Sequence, residues 1–350
     1  MKDSMTYKDY IRYKKLFIMF IGLVVVLTAF WAISSGSAEL SLKEVISTLF
    51  GYGSKQSSVI VFNHRLPRII TAIVAGMGLA TIGCVMQSLL KNPLASASTL
   101  GIAQGAAFGA SFAIIVLDAG VQNQTLDGIT ISNPYVVSVC AFVSAILSTI
   151  IVLGLSYFKK VSPESMVLSG VALSTMFAGA TTLLQYFAAD VKVAAVVFWT
   201  FGDLGRTGWK EIIIMAVTVA ASLLYFSFQR WNFNALENGD EAAKGLGVNI
   251  TRIRLLGMLI CSLTASIIVS FVGIINFIGL IAPHLIRRII GNDYRYLLPA
   301  SALMGALLLV VSDTVARLIV APVILPIGAI TSFLGAPLFL YLVFKGVGRR

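Results

Sequence analysis

The chain alternates between long apolar runs and short polar connections along almost its whole length. A membrane-spanning helix needs ~20 mostly apolar residues, because the helical rise is ~1.5 Å and the hydrocarbon layer is ~30 Å thick. Ten runs meet this condition, and we predict helices over residues 16–35, 67–90, 94–117, 134–157, 164–187, 210–229, 253–274, 276–290, 296–320 and 323–344. The seventh and eighth runs adjoin, and we expect the chain to turn there at Gly273, Asn276 and Gly279.

Composition and charge extend this prediction to topology. Hydrophobic residues make up 58% of the 350 residues, and a mean hydropathy of +0.92 excludes a soluble globular domain. With the N-terminus inside, 18 of the 26 basic residues fall in cytoplasmic connections and eight in outer ones. We therefore predict a basic cytoplasmic segment over 1–15, one transmembrane domain over 16–344 and a cytoplasmic tail over 345–350.

The sequence lacks the residue patterns that several classes of chemistry require. The three cysteines lie inside apolar runs without paired spacing, and the two histidines form no His/Glu metal motif. The phosphate-binding pattern Gly-x4-Gly-Lys-Ser/Thr is missing, and no basic patch is interleaved with aromatic residues as in nucleic-acid binding. We therefore predict no catalytic residue, no metal site, no cofactor and no nucleic-acid partner for this chain.

Three arginines at the outer end oppose the positive-inside trend. Arg65 and Arg68 lie at the start of the second run, and Arg317 lies near the end of the ninth. Outer cations suit the docking of an acidic partner. Two alternatives remain open: side chains that reach up to the membrane surface, and an ion pair between Arg317 and Asp313 four residues earlier.

A polar segment on the inner side predicts a short helix between the sixth and seventh runs. Asp240 can cap such a helix, and Gly247 can end it. A compact element here can transmit motion between spans, while a solvated connecting helix accounts for the pattern equally well.

Small residues and prolines mark candidate positions along a translocation path. In the third run, Gly101, Gly105 and Gly109 recur every four residues and leave one helix face almost without side chains. Such a face serves tight helix packing or forms the wall of a conduit. Pro283 in the eighth run, with Gly335 and Pro337 in the tenth, predicts interrupted helices, which membrane proteins either use along a path or simply tolerate.

Eight motifs in order resemble the FecCD or BtuC-like family, the permease subunits of ABC importers for iron-siderophores, haem and cobalamin. They extend from about residue 60 to the C-terminus: RLPR at 65–68, GCVMQSLLKNPLA at 83–95, LGI with GAAFGA at 100–110, LSGVAL at 168–173, GDEAAKGLGV at 239–248, NFIGLIAPHLIRR at 276–288, SDTVARL at 312–318 and LPIGAITSFLGAPLFLYL at 325–342. Two positions depart from the family pattern: Ala97, where proline is common, and Asn276, where glycine is expected.

The resemblance implies an all-α polytopic permease of about ten transmembrane helices in a bacterial plasma membrane, with both termini cytoplasmic. It implies a second permease subunit, identical or paralogous, two cytoplasmic ATPases that use the ATP, and an external substrate-binding protein. Arg65, Arg68 and Arg317 then receive acidic residues of the binding protein. The segment that contacts the ATPase then comprises Asp240, Glu241, Ala242, Ala243, Lys244, Gly245, Leu246 and Gly247.

An iron-siderophore is the cargo that the resemblance implies first, with haem or cobalamin as alternatives, and the sequence does not select among them. An ion-coupled secondary transporter is the rival class. Such carriers keep buried ionisable groups, which cost ~2.5–3.5 kcal/mol each on insertion scales. The central turns of the third, fourth, fifth and tenth runs contain no charged residue, which favours an ATP-driven subunit that is itself not an enzyme.

Overall fold

The computed structural model describes residues 7–36, 40–119, 122–125, 128–130, 133–159 and 162–347. Sequence predictions that concern Lys2, Lys160, Arg349 and Arg350, and with them parts of the two terminal segments, lie outside the described residues. Within the described part, each of the ten predicted runs contains one helix.

Fifteen α-helices occur in the described residues. They are α1 (Tyr7–Ser34), α2 (Leu42–Leu49), α3 (Lys55–Val59), α4 (Leu66–Leu89), α5 (Ile102–Ile115), α6 (Pro134–Lys159), α7 (Pro163–Tyr186), α8 (Asp190–Thr200), α9 (Trp209–Phe228), α10 (Arg230–Leu236), α11 (Asp240–Gly245), α12 (Ile250–Val272), α13 (Ile278–Ile290), α14 (Tyr294–Leu318) and α15 (Ile327–Val347). Two short antiparallel strands, β1 (Gln122–Thr125) and β2 (Gly128–Thr130), are the only strands in these ranges.

Seven of these helical stretches are long and apolar enough to cross a membrane, namely α1, α3 to α4 as one stretch, α6, α7, α9, α12 and α14. The helices α5 and α13 have 14 and 13 residues, whereas α15 has 21. The fold is therefore all-α and polytopic, as the sequence predicts, with α5 and α13 shorter than a complete crossing.

Helix α4 is the centre of the bundle. It packs against α9, α12, α13 and α14, and 78% of its most apolar window is buried. Glycines make these crossings close: a Cβ at Gly76 would overlap the carbonyl of Gly305 in α14, and a Cβ at Gly83 would overlap the carbonyl of Gly279 in α13. The absence of side chains at these points lets the backbones touch, which is how membrane helices gain packing energy.

The third predicted span is wrong at its start. Residues 94–101 form turns and a 3₁₀ helix, and α5 begins only at Ile102. Gly101 adopts a φ of +77°, a left-handed conformation that a side chain would strain, and so it caps α5 instead of continuing it. Along α5, a Cβ at Gly105 or Gly109 would meet the carbonyls of Ser144 or Cys140 in α6. The glycine face therefore serves close packing of α5 on α6.

The break between the seventh and eighth spans occurs near the predicted place. Helix α12 ends at Val272, and Gly273 and Phe277 both have positive φ in the connection that contains Asn276. Gly279 was expected in this turn, but it lies inside α13, where its lack of a Cβ admits the carbonyl of Leu79. The turn is thus made by Gly273, and Gly279 serves packing.

The remaining path candidates lie on both sides of this break. Pro283 is buried inside α13, and Pro337 lies inside α15, so the predicted interruption of these two helices is wrong. Gly335 faces the ring of Phe277, and a Cβ at that position would come within 2.6 Å of the Cβ of Phe277. Gly335 therefore makes room for the connection between α12 and α13.

We expect Gly83→Ala to destabilise the bundle, because the added methyl group meets a backbone carbonyl that has no room to move. Overpacking of this kind costs ~1–3 kcal/mol. Gly154→Ala is the matched control, since a Cβ at this helical position on α6 has no neighbour within 4 Å. Melting temperatures in detergent should fall for Gly83→Ala only, and an equal change in both variants would contradict the packing role.

Candidate functional site

The outer arginine cluster consists of Arg65, Arg68 and Arg317, which the structure brings together. The helical stretch from α3 to α4 widens into a π-helical turn over Ile60–Arg65 just before Pro67. Because Pro67 has no N–H to donate, the regular hydrogen-bond ladder is interrupted at this level. Arg65 and Arg68 follow the interruption and point toward the ends of α1 and α14.

Two of these arginines bind the last carbonyls of α1. Arg65 Nη1 donates to the carbonyl oxygens of Ile33 at 2.7 Å and Ser34 at 3.1 Å. Arg317 donates to Ser35 O at 2.7 Å through Nη1 and to Ala32 O at 3.1 Å through Nη2. A helix leaves its final carbonyls without intrahelical partners and carries partial negative charge there, so two guanidinium groups satisfy and neutralise this end.

Asp313 is a buried residue that binds two arginines of the cluster. Its side chain is 1% exposed and accepts from Arg68 Nε at 2.8 Å and from Arg317 Nε at 3.0 Å. Arg68 also pairs with Asp203 at 3.2 Å through Nη1. The predicted ion pair between Arg317 and Asp313 is therefore confirmed, and Arg68 is shared by two carboxylates.

The cluster lines an outer cavity of about 360 Å³. Three guanidinium groups and two carboxylates leave one net positive charge there, and His64 at the rim is exposed. The arginines do not reach up to the membrane surface, since Arg65 is 8% exposed and the Arg68 and Arg317 side chains are 11% and 9% exposed. Their role in docking stays a prediction, and most of their hydrogen-bonding capacity is used inside the chain.

The inner segment comprises α10 and α11, between α9 and α12. Helix α11 begins after Gly239, which has a φ of +102° and is the N-cap residue. Asp240, predicted as the cap, is therefore the first helical residue. Gly247 ends the element as predicted, with a φ of +81°, and Val248 N donates to Ala243 O at 3.0 Å. This is the glycine termination typical of helix C-termini, and it makes the segment compact.

One face of α11 is turned inward. Ala243 is fully buried within this chain, whereas Glu241, Ala242, Lys244 and Gly245 are exposed and Leu246 is 72% exposed. A bulky charged residue at Ala243 would therefore disturb the packing of α11 on its own chain. A substitution at Leu246 would leave this packing intact, because its side chain is exposed.

Asp240 fastens the inner segment to the central helix. Its carboxylate pairs with Lys91 at 3.0 Å, just beyond α4, and with Arg254 in α12 at 3.4 Å. Arg254 Nε also donates to Leu89 O, the last residue of α4. Burial acts to raise the pKa of Asp240, but the hydrogen bond from Lys91 and the charge of Arg254 outweigh it and hold this pKa below its ordinary value.

Helix α10 is fastened on its other side. Asn234 accepts from Tyr294 N at 2.8 Å and donates to Asp293 at 3.2 Å, while Phe233 stacks on Tyr294 at a centroid distance of 5.2 Å. Tyr294 Oη donates in turn to Cys84 O of α4 at 3.1 Å. The inner segment is therefore attached to α4 through α12 and through α14.

The sequence analysis missed the outer segment between α7 and α9. Helix α8 and a 3₁₀ turn over Leu204–Arg206 fold back on the bundle, with Thr207 Oγ1 2.6 Å from Thr71 Oγ1 of α4. Asp203 N donates to Val272 O, which anchors the turn beside the end of α12. The polar residues Asp203 and Arg206 after an apolar stretch too short to span were the available signal.

A profile of the FecCD transport family matches residues 22–345. A protein of Methanocaldococcus jannaschii described as an ABC transporter permease is 50% identical over 339 residues, which is 97% of each chain. The Fe(3+)-citrate import system permease protein YfmE of Bacillus subtilis is 34% identical over 93% of this chain and 94% of its own. The hemin transport system permease protein HmuU of Yersinia pestis is 33% identical over 95% and 96%.

A solved structure has the same arrangement of helices. It is an inward-facing conformation of a protein described as a metal-chelate type ABC transporter, with a TM-score of 0.82 and 29% identity, and the match covers 94% of this chain and 98% of that one. The fold and the sequence thus point to the same class of membrane protein.

We expect Asp313→Asn to lower the free energy of unfolding by ~3–5 kcal/mol, because it leaves the buried guanidinium of Arg317 without a carboxylate and that of Arg68 with only the partly exposed Asp203. Asp118→Asn is the matched control, since Asp118 pairs with Lys192 but its side chain is 76% exposed. Exposed pairs contribute ~0–1 kcal/mol. Thermal denaturation in detergent distinguishes the two, and similar losses would refute the central role of Asp313.

We expect the attachment of the inner segment to weaken in acid. The lowered pKa of Asp240 means that its contribution to stability is complete above the ordinary carboxyl value of 3.8 and is lost as pH falls through the folded-state pKa below it. Asp240→Asn should therefore be less stable than the parent at pH 7 and lose less below pH 3.8. Glu241→Gln, an exposed neighbour whose side chain is 89% accessible, should match the parent. Identical melting curves for the parent and Asp240→Asn at pH 7 would exclude the effect.

Proposed function

Because the chain belongs to the FecCD transport family, we propose that it is the membrane-spanning permease subunit of an ABC importer that takes up an iron chelate. The observation that carries this proposal is the family match over residues 22–345, which includes both polar ends of the bundle. The Fe(3+)-citrate permease and the metal-chelate type transporter support an iron chelate as cargo. The hemin permease, at 33% identity, supports haem as the alternative.

In the proposed mechanism, the energy of ATP reaches the membrane helices through the inner segment. Two ATPase subunits bind at the cytoplasmic side and contact the exposed face of α11 around Leu246. When ATP draws the ATPases together, α11 moves, and Asp240 passes the displacement to Lys91 and Arg254. Lys91 lies at the inner end of α4 and Arg254 at the inner end of α12. These central helices therefore tilt, and the translocation path opens to the other side of the membrane.

A second permease subunit is supported by the helices that this chain leaves uncovered. Only 11% of the most apolar window of α7 is buried, the smallest share among the candidate spans. Large apolar side chains on α7 are exposed, with Leu168 at 70%, Met176 at 55% and Leu183 at 64%. A second copy or a paralogue that packs here encloses the path between the two subunits, which gives the break between α12 and α13 a protein environment.

The outer arginine cluster is the proposed docking place for an external binding protein. Its net positive charge and its open cavity suit acidic side chains. Charge reversal at Arg65 and Arg68, however, would also break the contacts with α1 and Asp313. A cysteine at the exposed His64, cross-linked to the partner's acidic surface, probes docking without disturbing them.

The distribution of basic residues between the two ends of α4 supports one orientation of the chain in the membrane. The outer arginine cluster and the inner segment lie at opposite ends of α4, and the sequence pattern assigns 18 of the 26 basic residues to the side of the inner segment. This distribution supports a plasma-membrane protein with both termini in the cytoplasm.

An ion-coupled carrier is disfavoured by the state of Asp313. This buried carboxylate is bound by two guanidinium groups of its own chain, one at each of its oxygens. Coupling of that kind uses buried ionisable groups that change partners.

Reconstitution with the ATPase and binding protein tests the proposal. Uptake of ferric citrate or a ferric siderophore into proteoliposomes should require ATP on the ATPase side and should persist with an uncoupler. We expect Leu246→Asp to lower uptake about tenfold or more, the scale of one interface hot spot, while ATP hydrolysis continues.

Tyr52→Asp is the matched control, since it places the same charge at an exposed apolar residue on the outer side, where Tyr52 is 87% exposed. Its uptake should equal that of the parent. Uptake that collapses with the uncoupler and ignores ATP would establish the secondary carrier instead.

A further inference from the structure

Two adjoining cavities lie at the outer end of a groove between α6 and α9, with α12 as its floor. The smaller, of about 280 Å³, contains Arg206, and the larger, of about 580 Å³, is mainly apolar. Tyr135, Ser138 and Phe271 line both, so the cavities are continuous. We call this feature the α6–α9 groove. Its larger part has the volume of an ordinary small-molecule site.

The polar end of the groove contains the guanidinium of Arg206, whose hydrogen-bonding capacity is mostly unused. Arg206 Nη1 is buried and has no hydrogen-bond partner among the described residues, and Nη2 has only a long contact of 3.4 Å to Phe198 O. Asp203, the acid whose charge acts on Arg206, is already bound to Arg68 and to the N–H of Gly205. A guanidinium remains charged in proteins, and a buried charge without a partner is costly.

Burial lowers the pKa of Arg206, and the charge of Asp203 opposes this without cancelling it. This direction is the one expected for a cation that is desolvated and incompletely paired. The geometry and the electrostatics agree that the guanidinium of Arg206 can accept an anionic ligand at the polar end.

The rim of the groove carries basic and aromatic residues of the kind found at lipid headgroups. Lys210 is exposed on the first turn of α9, beside Trp209 at 43% exposure, and Tyr135 at 59% exposure begins the facing helix. Aromatic and basic residues are enriched at this depth of a membrane. Glu211 also lines both cavities, and its Oε2 accepts from Gly208 N at 2.8 Å.

Below the rim, the groove is apolar and open to the side. Val139 is 60% exposed on one wall and Ile214 is 47% exposed on the other, with Phe142 and Ile267 between them. Both walls pack on α12, which closes the groove from behind. The opening therefore faces the hydrocarbon layer and admits a chain that lies parallel to the helices.

We propose that the α6–α9 groove binds one glycerophospholipid of the outer leaflet, with its phosphate against Arg206 and Lys210 and one acyl chain between α6 and α9. A free phosphate would satisfy Arg206 but leave the larger cavity empty. A second permease helix would fill the apolar part without supplying the anion. Only a ligand with an anionic head and an apolar tail matches both ends. The site does not depend on the identity of the cargo.

Native mass spectrometry of the delipidated, detergent-purified chain tests this assignment. Phosphatidylglycerol and phosphatidylethanolamine both carry the phosphate and should each bind with one molecule per chain, whereas diacylglycerol and inorganic phosphate should bind weakly. Arg206→Gln should lower phospholipid affinity about tenfold or more, the scale of one hydrogen bond to a charged group. Lys55→Gln, which removes an exposed outer cation away from the groove, should leave it unchanged.

A second pair of variants tests the apolar part. Ser138→Trp fills the segment shared by both cavities and should also reduce phospholipid binding, while Val217→Trp, at a 64% exposed position of α9 outside the groove, should not. Equal binding of diacylglycerol and phospholipid, or parental binding by Arg206→Gln and Ser138→Trp, would overturn the proposal. Disulfide cross-linking between cysteines at Val139 of two copies would overturn it as well, since the groove would then be an interface between permease subunits.

Discussion

The close contact of α4 with its neighbours is the constraint on which the rest of the structure depends. Without side chains at Gly76 and Gly83, the backbone of α4 touches α14 and α13 directly. The helical stretch from Lys55 to Leu89 has 35 residues and is about 52 Å long, so it reaches from one membrane surface to the other. The outer arginine cluster begins at one end of this stretch and the attachment of the inner segment at the other. A movement of α4 at one surface is therefore necessarily a movement at the opposite surface.

The two ends use charge in different ways. At the outer end, Asp313 is almost completely buried and fixes two arginines, so the charges there hold α1, α4 and α14 together. At the inner end, Asp240 is partly exposed, and its pairs with Lys91 and Arg254 connect the inner segment to the bundle. Buried pairs that lose a partner are costly, whereas exposed pairs exchange partners easily. The outer end is consequently the more rigid of the two in this chain.

The apolar pattern predicted the ten helical intervals because lipid imposes one length and one composition on every span. It did not predict that residues 94–101 leave the helix, since glycine and alanine fit a 3₁₀ turn as well as a span. Pair spacing identified the contact of Arg317 with Asp313, but the contacts of Arg65 and Arg317 with carbonyls of α1 join residues about 30 and 280 positions apart. The burial of Ala243 also escaped the sequence, because a six-residue helix has too few positions to reveal which face turns inward.

The way in which α1 is held has a consequence for its evolution. At its outer end, the four bonds from Arg65 and Arg317 all terminate on backbone oxygens, at Ala32, Ile33, Ser34 and Ser35. Every amino acid supplies such an oxygen. Mutational drift at the two partly buried serines therefore leaves the anchor intact, whereas the two arginines that bind α1 have no substitutes. Sequence divergence between relatives should accumulate on α1 and spare Arg65 and Arg317, which bind it.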